Sequence, residues 1–197
     1  GHSHVLGPEL RHLPGARAVA GKLLTKAAMR LRRGGWLATS LHLNVRLLGQ
    51  EQRLETSCRF AAIDDSQQLL RLLWQLLAPL PAMAGKRHPP LSISVTLGGL
   101  QAASGHAGDL FQDRHQRRQR ALNQVLDAIN QRYGNNTLYF GALQPAIAAG
   151  AAPMRIPFSV IPDVAAERDA HQHPLWLQAH NRFNVLAQAN HQRRLDG

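Results

Sequence analysis

Two alternating runs joined by a three-residue turn constrain this chain more than anything else in it. Over residues 37–48, Leu41, Leu43, Val45 and Leu47 fall on one side and His42, Asn44 and Arg46 on the other. After Gly49-Gln50-Glu51 the alternation resumes over 52–60, with Leu54, Thr56, Cys58 and Phe60 set against Arg53, Glu55, Ser57 and Arg59. A period of two is the period of a half-buried strand, and so short a connection makes the two strands a hairpin. A third run, Leu91, Ile93, Val95 and Leu97 against Ser92, Ser94 and Thr96, follows Pro89-Pro90 and closes at Gly98-Gly99. Residues 2–10 read as a short extended segment.

Between these strands the period changes to that of a helix. From Pro14-Gly15 to about Arg33, Val19, Leu23, Leu24, Ala27 and Leu31 recur at spacings of three and four, and basic side chains fill much of the rest. Gly34-Gly35 supplies a C-terminal stop. A second helix is expected from Ser66 to Ala78, with Asp64 and Asp65 as candidate N-caps and Pro79 and Pro81 ending it. The order strand, helix, strand, strand, helix, strand over 2–98 is the split βαβ pattern, an α+β fold with a four-stranded antiparallel sheet and both helices on one face.

The division that follows is 1–98 as one domain, 99–113 as a linker rich in Gly, Ala and Ser, and 114–197 as a helical and irregular extension. In the extension a basic helix is expected from about Gln112 to Tyr133, apolar through Leu122, Val125, Leu126 and Ile129. Thr137–Phe140 reads as a short strand, 141–165 has no clear period, and a last helix is expected over 174–190. No run of about 18 apolar residues occurs that would span a membrane, and no secretory leader is recognisable. The chain opens on Gly1 rather than Met, which reads as a piece of a longer protein.

The formal charge is +11, from 23 Lys and Arg against 12 Asp and Glu. Such a surplus suits a polyanion, because each phosphate contact releases counterions; a genome composition favouring Arg is the other source of it. Cys58 is the single cysteine, so disulfides and multi-cysteine zinc sites within one chain are excluded and a cytoplasmic location is expected.

Catalytic patterns are missing. Two-metal phosphoryl transfer needs clustered carboxylates, and the one adjacent pair, Asp64-Asp65, sits where a helix begins. No phosphate loop, dinucleotide fingerprint or nucleophile elbow is present. Cys58 lies on the apolar side of its strand as a structural thiol. His171 and His173 have no third ligand nearby. No catalytic residue, metal ligand or cofactor is therefore expected in this chain.

The polar side of the sheet carries the functional expectation. His42, Asn44, Arg46, Arg53, Ser57, Arg59, Ser92, Ser94 and Thr96 all belong to it by parity. The arginines reach phosphates and the short side chains add hydrogen bonds, in a sheet that enters the major groove. It lacks the stacking rings of an RNA-reading sheet, which points to duplex DNA held by its backbone with little sequence preference.

These residues also resemble a known family. His2-Ser3-His4-Val5-Leu6-Gly7-Pro8-Glu9-Leu10-Arg11 looks like the entry to the little finger of Y-family lesion-bypass DNA polymerases. Lys26-Ala27-Ala28-Met29-Arg30-Leu31-Arg32-Arg33 and Ala38-Thr39-Ser40-Leu41-His42-Leu43 resemble its first helix and the strand after it. Leu126–Gly134 with Thr137–Gly141 is similar to the tail of UmuC-like members, and Met154–Ser159 with Ile161-Pro162 more loosely so. The resemblance implies a non-catalytic module that grips primer–template duplex during translesion synthesis, in DNA repair and the SOS response. The magnesium-dependent nucleotidyl transfer would then belong to the palm and fingers of the parent. Leu110-Phe111 stands where relatives carry a sliding-clamp motif, without that motif's leading Gln and Leu. The alternative is a protein-interaction module that recruits a clamp or recombinase, with the sheet as scaffold.

Overall fold

The computed structural model describes residues 1–103 and 114–152, without the side chains of 114–117. Two compact units emerge, Gly1–Gln124 with Phe140–Pro153, and a second that includes Val125–Tyr139.

In the first unit the strands are β1 (His2–Val5), β2 (Trp36–Leu47), β3 (Arg53–Ile63), β4 (Pro90–Gly98) and β5 (Gln101–Ala102), and the helices begin with α1 (Leu13–Arg33), α2 (Ser66–Leu76) and the single-turn α3 (Leu80–Met83). The sheet order is β1-β4-β2-β3, antiparallel throughout, with β5 added to the start of β2. Two split βαβ units interlock, since β4 lies between β1 and β2 while β2 lies between β4 and β3. The alternation in the sequence is what buries one side. Leu41, Leu43, Val45, Leu47, Leu54, Ile93 and Val95 are buried under the helices, and each such side chain contributes roughly 1.5–3 kcal/mol. Gly49, at φ +68°, lets the β2–β3 hairpin reverse.

Helix α1 starts where the His12 imidazole Nδ1 accepts from the Gly15 amide at 3.1 Å. Arg32 fastens its far end to the start of α2, donating to the Asp64 carbonyl at 2.7 Å and the Ser66 hydroxyl at 3.0 Å. The sequence predicts one buried face, but α1 is buried nearly all round in its first three turns, Lys22 included. A second layer causes this. A 3-10 turn at Gly141–Leu143 and α5 (Gln144–Ala148), in a stretch without legible period, pack on α1. Gly21 is the point of closest approach: a Cβ there would lie 2.4 Å from Leu143 Cδ2 and 2.9 Å from the Trp74 ring. Arg17 caps the same ring from outside, its guanidinium 4.4 Å from the centroid. Ala27, expected in the apolar stripe, is only half-buried.

The stretch read as a linker leaves the sheet later than expected. β5 pairs Gln101 with Leu37 and Ala102 with Trp36, and the Ala103 amide donates to the Gly35 carbonyl at 2.8 Å.

Helix α4 (Arg114–Tyr133) runs through the second basic segment. Its inward residues correct the sequence reading, because Leu122 and Val125 are exposed while Asn123 and Asn130 are buried. Hydrogen bonds choose the face. In the first unit, Asn123 donates to Asp65 Oδ2 at 2.6 Å. In the second, Asn130 donates to the Leu138 carbonyl at 2.9 Å and accepts from the Leu138 amide at 3.0 Å. That clamp also explains why Thr137–Phe140 is a loop, not the strand expected: main-chain groups that a ladder would use are taken by a side chain. The helix expected over 174–190, Leu110-Phe111, His171 and His173 and the residues 154–162 lie outside the described residues.

Candidate nucleic-acid interface

All nine residues predicted for the polar side of the sheet share one face, and the register arranges them in rows. His42 stands between Ser57 and Thr96, Asn44 between Glu55 and Ser94, and Arg46 between Arg53 and Ser92. Arg59 pairs with Ser40, which pairs with Gly98. His42, Arg46, Arg53, Ser57 and Arg59 are exposed, and Asn44, Ser92, Ser94 and Thr96 are half-buried among their neighbours.

Length sorts the face. Arg46 and Arg53 stand at one end of the strands and Arg59 six residues along β3, roughly 20 Å away at a strand's rise. Between them lie hydroxyl, amide and imidazole side chains of short reach. Arg46 directly opposite Arg53 is a like-charge pair across two strands, an arrangement that costs stability unless an anion lies over it.

Sequence parity missed two members of the face on β1. Ser3 and Val5 extend the rows onto β1 through Ser94 and Ser92. Their four-residue strand is too short for alternation to be legible. Glu55 is in the centre. It accepts from Asn44 Nδ2 at 2.5 Å and lies 3.6 Å from the Arg53 guanidinium. It was visible by parity but stands out as functional only when the register brings it beside both partners. The face is thus basic at its ends and carries one carboxylate in the middle.

The opposite side of β1 has a different character. His2 and His4 pair with Val95 and Ile93 and turn toward the helices. Burial, with Lys26, Arg30 and the N-terminal ammonium nearby, lowers His2 to a pKa of about 4. Burial, Lys22 and Lys26 lower His4 likewise, and its Nε2 accepts from the Ala152 amide at 3.3 Å. Both imidazoles are held neutral, and residues 140–152 pack on the helix side, away from the polar face.

The remaining chemical candidates fall away on geometry. Asp65 is the N-cap of α2, accepting from the Gln68 amide at 2.6 Å. Cys58 is half-buried, and burial raises its thiol pKa against a smaller pull from a Leu41 backbone hydrogen bond, the wrong direction for a nucleophile. Among the described residues no three His, Cys, Asp or Glu side chains gather in a group that could hold a metal ion. No helix among them is long and apolar enough to cross a membrane.

Comparison with known proteins agrees with the region over which this face is built. A family model described as the impB/mucB/samB family C-terminal domain matches residues 1–110. A second, described as a domain of unknown function (DUF4113), matches residues 120–149. No curated protein and no solved structure matches the chain.

Proposed function

The chain belongs to the impB/mucB/samB family, carrying the C-terminal domain of a Y-family polymerase, and on that premise we propose that its open sheet face grips duplex DNA by the phosphate backbone. One observation carries the reading: Arg46, Arg53 and Arg59 share that face, two of them side by side and the third roughly 20 Å along the strand. That spacing reaches phosphates on both sides of a major groove about 12 Å wide. The short rows between them let the sheet descend into the groove, where Ser92, Ser94, Thr96 and His42 meet sugar and base edges without a rigid demand on sequence.

A grip of this kind tolerates a distorted template, because it depends on phosphate positions and groove shape more than on base identity. In the parent polymerase it supports damage tolerance and translesion synthesis. The magnesium-dependent chemistry lies in the palm and fingers, and the protein acts in the cytoplasm. The sliding clamp remains a proposed partner through Leu110 and Phe111, which a clamp pull-down with both residues changed to Ala tests directly.

The experiment is a salt series on the 197-residue chain with a labelled primer–template duplex. Three phosphate contacts give a log–log slope near −2.7, and Arg46→Ala lowers its magnitude by about 0.9, equally for unrelated sequences. Binding that ignores salt, or a loss confined to one sequence, overturns backbone gripping. Absence of binding at low salt favours the interaction-module alternative.

A further inference from the structure

The order of the sheet leaves β3 at an edge. Among the described residues no strand pairs with its outer side, over a strand of 11 residues. Main-chain N–H and C=O groups of an antiparallel strand point alternately to the two sides, so about half of those on β3 face outward. The opposite edge is blunted by the brevity of β1; on β3 the charged residues Arg53, Glu55 and Arg59 precede its last four, Phe60 to Ile63, which carry neither a charge nor a Pro.

Beside this edge the ladder is irregular. From Ser40 back to Ala38 the chain of β2 advances two residues, while β3 advances four, from Arg59 to Ile63. The extra residues bulge, and the bulge stands against α2. Between them opens a groove of about 340 Å3. Its apolar lining is the exposed Ala61 with the half-buried Phe60, Ile63 and Leu72, and its polar lining is Gln68 with the exposed Arg71 and Gln75. No carboxylate lines it. The volume is at the small end of ligand sites, enough for one or two large side chains.

We propose that this groove is a peptide-docking site, in which a short extended segment of a partner protein adds to the β3 edge, seats a bulky apolar side chain on Phe60, Ile63 and Leu72, and sets an acidic group against Arg71. Three separate features meet the three parts of such a ligand. The unpaired edge meets its main chain, the apolar floor one side chain, and the cation its charge. The bulge limits continuous pairing to a few residues, which selects a short motif over a long strand. Charge selects the occupant: the chain at +11 repels a second copy of itself, and a groove with one arginine and no carboxylate favours an acidic peptide. The site is on the helix side of the sheet and is independent of the DNA reading.

A displayed library of random octapeptides, selected on the 197-residue chain, provides the probe. The expected winners combine one bulky apolar residue with an acidic residue, and they shift amide resonances of residues 57–63 and 68–75. Arg71→Glu weakens them at least tenfold and turns selection toward basic peptides. Leu72→Asp abolishes binding, and because Arg71 is exposed its variant keeps the test valid if the Leu72 variant misfolds. DNA affinity stays within a factor of two in Arg71→Glu. No enriched peptide, or winners indifferent to Arg71→Glu, overturns the proposal. So does a concentration-dependent dimer in sedimentation that Leu72→Asp dissolves, which would assign the groove to a second copy.

Discussion

Asp65 holds two elements together with one carboxylate, and removing it separates two costs that are usually confounded. Oδ1 accepts from the Gln68 amide at 2.6 Å as the N-cap of α2, and Oδ2 accepts from Asn123 Nδ2 at 2.6 Å. Both side chains are buried, Asp65 at 6% and Asn123 at 4% exposure. Asp65→Ala loses a cap worth about 1 kcal/mol. It also strands the Asn123 amide away from water, which costs about 1–3 kcal/mol more. The sum, about 2–4 kcal/mol, is a drop in melting temperature on the order of 10 °C for a unit of this size. Asp65→Asn keeps an oxygen for Gln68 and, once the Asn123 amide turns over, a partner for it; its cost stays under about 1 kcal/mol. The assay is urea denaturation of the two variants, Asn123→Ala and the double variant Asp65→Ala/Asn123→Ala, with hydrogen exchange at the Gln68 amide. The double variant should lose less than the sum of the singles, since no stranded donor remains. A loss below about 1 kcal/mol in Asp65→Ala, with Gln68 protection intact, refutes the argument.

Two further predictions concern the sheet. Glu55→Gln removes the carboxylate from the centre of the polar face; a phosphate about 6 Å away in water feels roughly 0.7 kcal/mol less repulsion, so duplex affinity rises about threefold at low salt, and unchanged or weaker binding in a fluorescence titration counts against a phosphate-facing role. His2 ties stability to pH: with its folded pKa lowered to about 4 from an ordinary 6.5, the unfolded chain takes up a proton that the native state refuses, so this contribution is complete above about pH 6.5, declines as the pH falls toward 4 and changes no further below it. NMR titration of the His2 ring should show that low midpoint, and His2→Gln should flatten the stability profile in this window.

The alternation of strands and helices is legible in local residue patterns, because in a two-layer fold each element exposes one side to water and must write that asymmetry into its own residues. The hairpin, the polar face through all nine predicted residues, and the Asp65 cap are local patterns of this kind. Elements buried from more than one direction carry no such signature. Residues 141–152 show no period, yet they cover α1 and require Gly21 to have no side chain. The inward face of α4 departs from its apolar stripe because Asn123 and Asn130 are buried by partners 58 and 8 residues away in the chain, and a specific hydrogen bond outweighs the stripe beside it. Tertiary structure alone set the register that puts Arg46 beside Arg53 and Glu55 beside Asn44, and the bulge that opens a groove at β3. Pairing between strands depends on how both are aligned, and neither strand encodes that alignment separately.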